Sequence, residues 1–595
     1  MQKAFYSFFL AFILVLAVPL AYSQQPDELE FTLDIQSATA PLPKIFRPAV
    51  DLSGRGFHKD ALWPGNNAAK EVLDLWQEEL GFSGIYRMQY SLWEISQLDK
   101  DKEAQSKLMS NYEDIMRKIT ESAGIVILSI FGTPQGKGRV LDKTSPPADL
   151  RDFKAFVKSL IKELSFNKRY NIWYEVWSAP DIDDFFLGRE QEYLNLYRSI
   201  AEAVKELRQE TKMHIPLGGP SVSTWYQNID GNTIAAPEGS LIYALIKFCY
   251  QYELPLDFIS WHKYSTDPQA EKENTIYKKT IVKLMREWLT YFRFDKNTPL
   301  IVDEWNYDRS ANILPERREE AYICASFLPA RIKNMQEAGI DYQIYFSLEN
   351  FQNNKEGLVR NVGVFSFDPE HSQYQGSSKV TYNAFKMLSG LGGDIFVHKF
   401  NDEFAGVIAT KAPGSLVLLI YNYIDPEIAT NYLSREAGNL KNSERKILLN
   451  IIRQGRWDRL LSKEIDITKL RTARKVSSVL KKALELNSRA ERLQKEARKL
   501  KINLKNLTGN FLYQEYVIDS SCSANCPFIP REEKEVVLSG DYQEELELSP
   551  YSVRMLVFKE KPKEEAVAPE TAVPELQEEL VTPEEPEVDI SSPKE

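Results

Sequence analysis

From Arg47 to Phe346 the chain alternates short apolar runs with longer amphipathic stretches. The apolar runs are Arg47–Leu52, Gly84–Gln89, Gly124–Phe131, Ile172–Trp177, His214–Gly218, Asp257–His262, Leu300–Glu304 and Tyr342–Phe346. They have the length and near-continuous hydrophobicity of strands covered on both faces. Between them lie Ala68–Leu80, Asp149–Ser165, Glu190–Glu210, Leu241–Tyr252, Ile276–Phe292 and Glu316–Ala338, which repeat apolar residues at three- and four-residue steps, the period of half-buried helices. Eight strands separated by helices predict an α/β fold, a (β/α)8 TIM barrel over residues 45–395. A doubly wound open sheet is the rival topology, but no glycine-rich phosphate turn follows the first strand.

After residue 396 the pattern changes to shorter alternating runs: Gly406–Thr410, Ser415–Asn422, Lys446–Ile452, Glu515–Asp519, Glu535–Leu538 and Ser552–Phe558. These predict an antiparallel β-sandwich over 396–559, which Leu29–Ile35, within a segment 24–44, is expected to join as a further strand. A helical insertion is expected at about 467–504, where Ala483, Leu486, Ala490, Leu493, Ala497, Leu500 and Leu504 recur at alternating three- and four-residue steps. Its other faces are rich in Lys and Arg. A solvated face on a helix packed against its own domain is the favoured reading of 475–504, a docking helix for a protein partner the alternative.

Composition changes little in this picture, and charge sharpens it. The 595 residues are too many for one ordinary core. The net charge of −11 is concentrated at the end: residues 561–595 carry three Lys against eleven Asp and Glu, leaving about −3 for everything before them. The folded body is therefore not biased toward nucleic acid, and 560–595, rich in Pro, Glu, Val and Thr, is expected to be a disordered acidic tail. At the other end Met1-Gln-Lys3, the apolar run Phe8–Leu20 and Ala21-Tyr-Ser23 have the form of a signal peptide, residues 1–23, cleaved before Gln24. An exported, periplasmic or extracellular protein follows as the expectation, without stable membrane insertion once the signal is removed. Cys249 and Cys324 lie in apolar helical contexts, and Cys522 and Cys526 have the spacing to close a small disulfide loop. No His accompanies the latter pair, so neither a metal site nor a cofactor is expected.

In a barrel the carboxyl ends of the strands converge on one mouth, so that is where chemistry is sought. The fourth strand runs Ile172-Trp-Tyr-Glu-Val-Trp177 and breaks after Ser178 and Ala179 at Pro180 into the acidic loop Asp181–Asp184. The seventh ends at Glu304 beside Trp305 and Asn306, the sixth carries His262 and Tyr264 on one face, the second carries Arg87, and the eighth leads to Glu349. A carboxylate ringed by Arg, His, Tyr and Trp suits sugar chemistry, in which a carboxylate attacks or stabilises an oxocarbenium-like centre and aromatic faces stack on the ring.

Several of these stretches resemble family 39 glycoside hydrolases. Tyr174-Glu-Val-Trp-Ser-Ala-Pro-Asp181 looks like the fourth-strand motif of that family, commonly Glu-Val-Trp-Asn-Glu-Pro, and Ile301-Val-Asp-Glu-Trp-Asn306 looks like its seventh-strand nucleophile motif. Glu79–Arg87, Leu217–Pro220, Phe258–His262, Val380–Phe385 and Leu548–Leu556 match other parts of the pattern in order. The resemblance implies a retaining glycosidase fold whose relatives act as β-xylosidase, α-iduronidase or exopolysaccharide endoglycosidase. It assigns Glu304 as nucleophile and Arg87, Trp177, Ser178, His262, Tyr264, Trp305 and Asn306 to substrate binding. It also exposes a departure: Ala179 stands where the family has its general acid/base Glu, and Ser178 where it has Asn. A retaining mechanism uses two carboxyl groups about 5–5.5 Å apart, and Ala transfers no proton. Three readings follow. One is a glycosidase acting on a poly- or oligosaccharide with a substitute acid drawn from Asp181, Glu349, Asp183, Asp184 or Glu94. Another is an inactive polysaccharide-binding barrel in a glycan assembly or export system. The last is a protein-interaction scaffold.

Overall fold

A computed structural model describes residues 27–53, 70–223, 225, 236–307, 322–353, 358–360, 362–366 and 377–561. The expected signal peptide and all but the first residues of the acidic tail lie outside these. Eight parallel strands close into a barrel in the order Val50–Asp51, Ile85–Ser91, Ile125–Phe131, Ile172–Val176, Leu217–Val222, Phe258–His262, Leu300–Trp305 and Tyr342–Tyr345, the last pairing with the first through Tyr345 and Val50. The intervening helices start where the sequence supplies caps. Asp101, Asp149, Ser240 and Thr280 each accept backbone N–H bonds at the first turn of the helix that follows them. The apolar faces of these helices pack on the outward residues of the strands, making one large core.

Inside the barrel a second, smaller core fills the lower end: Ala49, Ile85, Ile127, Phe258, Ile301 and Ile344, with Trp173 and Tyr342 packed against it. Strand period two then places Arg87, Ser129, Glu175, Ser260 and Asp303 one step nearer the mouth on the same inner face. The barrel is thus plugged by hydrocarbon below and lined by polar groups above.

The second unit is a curled sheet of eight strands with its own core of Phe31, Leu33, Val407, Leu418, Leu500, Ile502, Leu504, Leu556 and Phe558 among others. Its centre is one long strand, Arg498–Ile518. The first half pairs in parallel with Glu28–Asp34, the second half pairs antiparallel with Ser552–Glu560, and Glu532–Leu548 runs along both. A register break between Leu504 and Leu507, with Asn506 at a φ of 62°, bends this strand so that the sheet folds over its own core.

Two expectations are corrected here. The helical insertion is not 467–504 but the run of helices Ile428–Ala437, Asn442–Arg453, Arg456–Leu461 and Arg474–Leu493, after which Arg498–Leu504 is strand. Leu500 and Leu504 are four residues apart, a spacing that fits a helix face and a strand face equally, and Lys499, Lys501 and Lys505 alternate with the buried Leu500, Ile502 and Leu504. Likewise Lys446–Ile452 is helical, burying Leu448 and Ile451 against Trp457 and Leu480 in the insertion's own apolar cluster. The apolar stripe of Arg474–Leu493 is buried along its whole length, and Arg489 on its basic side reaches Asp27 and Asp402. Cys522 and Cys526 are unbonded thiols. No helix among the described residues is long and apolar enough to cross a membrane.

Candidate active site

Arg87 is the hub of the mouth. Its guanidinium is fully buried and donates to Glu175 (2.9 Å), Asp51 (3.0 Å), Ser178 Oγ (2.9 Å) and Ser221 Oγ (3.2 Å), with Asp303 at 3.8 Å and Glu304 Oε2 at 3.6 Å. Four carboxyls around one guanidinium cannot all be charged in a dry site, and a proton settles the imbalance. Burial and the neighbouring Glu175 push Asp303 well above the usual carboxylate range. Burial also acts to raise Glu175, but Arg87 and hydrogen bonds from Asp303, Arg87 and Ser260 outweigh it and hold that carboxyl low. Glu175 is therefore the anion of the pair and Asp303 the acid.

Asp303 and Glu304 both reach this cluster because the seventh strand bulges there. Trp261 pairs with Val302, but His262 pairs with Glu304, so Asp303 is the extra residue. The Glu304 side chain keeps 15% exposure while every other carboxyl around Arg87 is sealed, which leaves it the group that faces the mouth. Tyr264 donates its hydroxyl to Glu304 Oε1, and His262 Nε2 lies 3.4 Å from Oε2 and 3.0 Å from Ser221 Oγ. Burial and the Arg87 charge depress His262 to about 3, so it is neutral across ordinary pH. One cation, one phenol and one neutral imidazole thus orient a single accessible carboxylate.

On the opposite side of the mouth the fourth strand ends in strained backbone. Trp177 has a φ of 70° and Ala179 a φ of 47°, a region costly for residues with a Cβ. Ser129 Oγ bonds the Trp177 carbonyl at 2.8 Å, Trp177 N–H bonds Ile130, and Ala179 N–H bonds the Ser221 carbonyl at 2.8 Å, so the neighbouring strands hold the shape. Ser178 faces Arg87, and Ala179 presents a methyl group.

The structure brings Arg87, Ser178, His262, Tyr264 and Glu304 together. It does not bring Trp177, Trp305 or Asn306 to a sugar. Trp177 is packed against Phe131 and Phe186 with its indole N–H on the Phe185 carbonyl. Trp305 is edge-on to Tyr345 and Phe327 and bonds Gln343. Asn306 ties the Phe346 and Val362 carbonyls. All three are buried and act as scaffold. Among the substitute acids, Asp181 uses both oxygens to accept from Ser223 N–H (2.8 Å) and Oγ (2.7 Å), anchoring one mouth loop to another. Glu349 is fully buried. Glu94 lies one turn past the second strand, where burial raises its carboxyl against the opposing charge of Lys143. Asp183 and Asp184 are exposed and line a groove with Trp93, Leu141, Lys143 and Leu187. Sequence reasoning missed Asp51, Ser221 and Asp303 as members of the cluster. The inner-face period of the strands could have signalled Asp51 and Asp303, whereas Ser221, at a φ of 54° in the register shift between Pro220 and Val222, is hidden by that irregularity. Among the described residues no group of three or more His, Cys, Asp or Glu side chains is arranged to hold a metal ion.

Comparison with known proteins places this geometry in a family. The model of glycosyl hydrolases family 39 matches residues 139–469. A β-xylosidase of Caldicellulosiruptor saccharolyticus is 24% identical over 296 residues, covering 47% of this chain and 55% of that protein. A β-xylosidase of Geobacillus stearothermophilus is 23% identical over 299 residues, covering 47% and 53%. The chain thus spans about half the length of these curated relatives. In fold it is similar to a glucosidase from Croceicoccus marinus (TM-score 0.59, 15% identity, 90% of this chain and 100% of that one) and a monomeric β-xylosidase from Caulobacter crescentus (TM-score 0.58, 14% identity, 89% and 99%). The match extends over more than half of the sequence and over the strands that carry Ala179, His262 and Glu304: the chain belongs to glycosyl hydrolases family 39.

Proposed function

We propose that this protein is an exported glycosidase that cleaves O-glycosidic bonds of a poly- or oligosaccharide or other glycoside through a glycosyl-enzyme on Glu304, without the family's strand-four acid/base. The observation that carries this reading is the isolation of Glu304. It is the one carboxyl around Arg87 left accessible, and Tyr264, His262 and Arg87 orient it, a setting with no structural purpose that the sealed carboxyls do not already serve. Orientation of an attacking group is a large part of enzymatic rate. The leader-like residues 1–23 support export.

A retaining cycle needs leaving-group departure and then attack by water, and a general acid/base assists both. With Ala179 in that place, departure depends on the leaving group itself. Glycosides of acidic alcohols should turn over, and those of ordinary sugars slowly. The loss of both Asn and Glu at 178–179 equally supports a second reading, a barrel that binds glycan without cleaving it.

Turnover of 2,4-dinitrophenyl glycosides tests the two. The glycosidase reading expects release of dinitrophenol by the parent protein, its abolition in Glu304→Gln, and acceleration by azide, which attacks the glycosyl-enzyme without needing a base. Calorimetric binding of oligosaccharide with no turnover under any of these conditions establishes the binding reading instead.

A further inference from the structure

The geometry points to a leaving-group subsite for an aromatic aglycone, formed on the rim of the mouth by the loops after the third and fourth barrel strands. The inference rests on the glycosidase reading above and specifies its substrate class.

Four large apolar side chains stand exposed on these two loops: Val140 (56%), Leu141 (73%), Phe185 (39%) and Leu187 (47%). Exposed apolar residues scattered singly need no explanation, but Leu141 and Leu187 line one groove together. The loops that carry this pair are built rather than loose. The Leu187 N–H bonds the Thr144 carbonyl at 2.9 Å and so joins the two loops. Thr133 is bonded to Lys143 and Ser145 across the third-strand loop, and Asp142 caps Thr144. Gly132, at a φ of 80°, lets the chain turn over Trp93, whose Cβ would lie 3.4 Å from any Cβ placed there.

The space between is a groove of about 310 Å3 lined by Trp93, Leu141, Asp142, Lys143, Thr144, Asp183, Asp184 and Leu187. That is at the small end of ligand sites, roughly 300–1,000 Å3, and holds one ring system. Its residues follow the second, third and fourth strands. The fourth is the strand whose missing Glu would have met the leaving group, while Glu304 approaches from the seventh. The groove is therefore on the departing side of the bond. Leu141 and Leu187 offer apolar contact and Trp93 an aromatic wall for a ring, while Lys143 stands among Asp142, Asp183 and Asp184.

Its chemistry answers the gap at Ala179. The Glu304 carboxylate forms a bond to the anomeric carbon as the bond from that carbon to the aglycone oxygen breaks. The electron pair leaves on that oxygen. An aromatic hydroxyl carries the charge as a phenolate, which then takes a proton from water, so no protein acid is required. Water next attacks the anomeric carbon, frees Glu304 and loses one proton to solvent. The net change is addition of one water across the glycosidic bond.

The experiment compares 4-nitrophenyl and 2,4-dinitrophenyl glycosides of xylose and glucose with the corresponding glycosyl fluorides, whose leaving group is too small to occupy the groove. The doubly substituted Leu141→Ser/Leu187→Ser protein is assayed beside the parent, with Ile529→Ser, an exposed apolar residue of the sheet unit, as control. The expected result is a fall of about tenfold in the ratio of aryl glycoside to fluoride kcat/KM, carried chiefly by KM, with the control unchanged. Unaltered melting of the double variant, both leucines being exposed, excludes misfolding. A ratio within twofold of the parent overturns the subsite while leaving the glycosidase intact. Failure of the parent to cleave either class overturns the glycosidase reading and the subsite with it.

Discussion

Asp303 and Glu304 are consecutive in sequence, yet both carboxyls face the same guanidinium, Asp303 Oδ2 at 3.8 Å from Arg87 Nε and Glu304 Oε2 at 3.6 Å from another Arg87 nitrogen. A regular strand would send them to opposite faces. The bulge between the sixth and seventh strands lets one carboxyl serve as the buried acid of the floor and the other as the accessible carboxyl of the mouth.

Arg87 is consequently a stability residue as well as a site residue. Arg87→Met leaves Glu175 and Asp51 buried without their counter-charge, and breaking a buried pair from one side costs about 3–5 kcal/mol. The expected outcome is a large drop in denaturation midpoint. Arg87→Met/Glu175→Gln, which removes charge of both signs, should recover part of it. Urea unfolding followed by fluorescence measures both.

Tyr264→Phe tests orientation of Glu304 as the proposed nucleophile. The variant keeps the ring and removes the hydroxyl that Glu304 accepts. A hydrogen bond to a charged group contributes about 1.5–3 kcal/mol, so kcat on dinitrophenyl glycosides should fall roughly 10- to 100-fold with folding unchanged. Steady-state kinetics beside a melting curve separates the two effects.

Ser178→Asn/Ala179→Glu installs the pair that the family 39 resemblance assigns to these positions. The strand end already holds the strained backbone that presents them. General acid/base catalysis contributes about 10²–10⁴-fold, and that gain is expected on xylobiose-like substrates, with little gain on dinitrophenyl glycosides that need no acid. Product release by chromatography reads it directly.

A further prediction concerns pH. Asp425 lies buried with Asp267 and Arg435 at the seam between the sheet and the helical insertion, and burial and Asp267 push its carboxyl up to about 8. Unfolded Asp titrates near about 4. As pH rises between these values the unfolded chain has released this proton while the folded chain retains it. The stability contributed by the protonated group is thus complete at low pH and is lost toward pH 8. Asp425→Asn resembles the protonated acid and can still accept from Glu427 N–H or Asn431. Its stability advantage over the parent should grow from pH 5 to pH 8 by on the order of 1 kcal/mol per pH unit, as read from melting curves at each pH.

Much of the fold and part of the site are legible in the sequence, for reasons that particular residues make plain. The barrel strands are short apolar runs that no helix of that length would bury on all sides, so their order reads directly. Arg87, His262, Tyr264 and Glu304 meet because each lies at a strand's carboxyl end and points inward. Trp177 and Trp305 occupy the same strand ends and by period two would face inward, but the left-handed φ of 70° at Trp177 and the bulge before Trp305 turn them into the helical layer beside Phe186 and Phe327, so nearness to the mouth in sequence is no guarantee of facing it. Leu500 and Leu504 satisfy two periods at once, and only pairing with Glu28–Asp34 and Glu532–Leu548 decides for strand. Glu304 faces Arg87 beside Asp303 only through a one-residue bulge, which leaves no mark in composition or spacing.

The central claim, that Glu304 forms a covalent bond to the sugar, is tested most directly by trapping. A 2,4-dinitrophenyl 2-deoxy-2-fluoroglycoside pairs a good leaving group with a ring substituent that slows hydrolysis of the intermediate. Incubation followed by proteolysis and mass spectrometry should show one fluoroglycosyl increment on the peptide containing Glu304, lost in Glu304→Gln. An unmodified Glu304 peptide with stoichiometric release of dinitrophenol, or the increment on any other residue, contradicts the account.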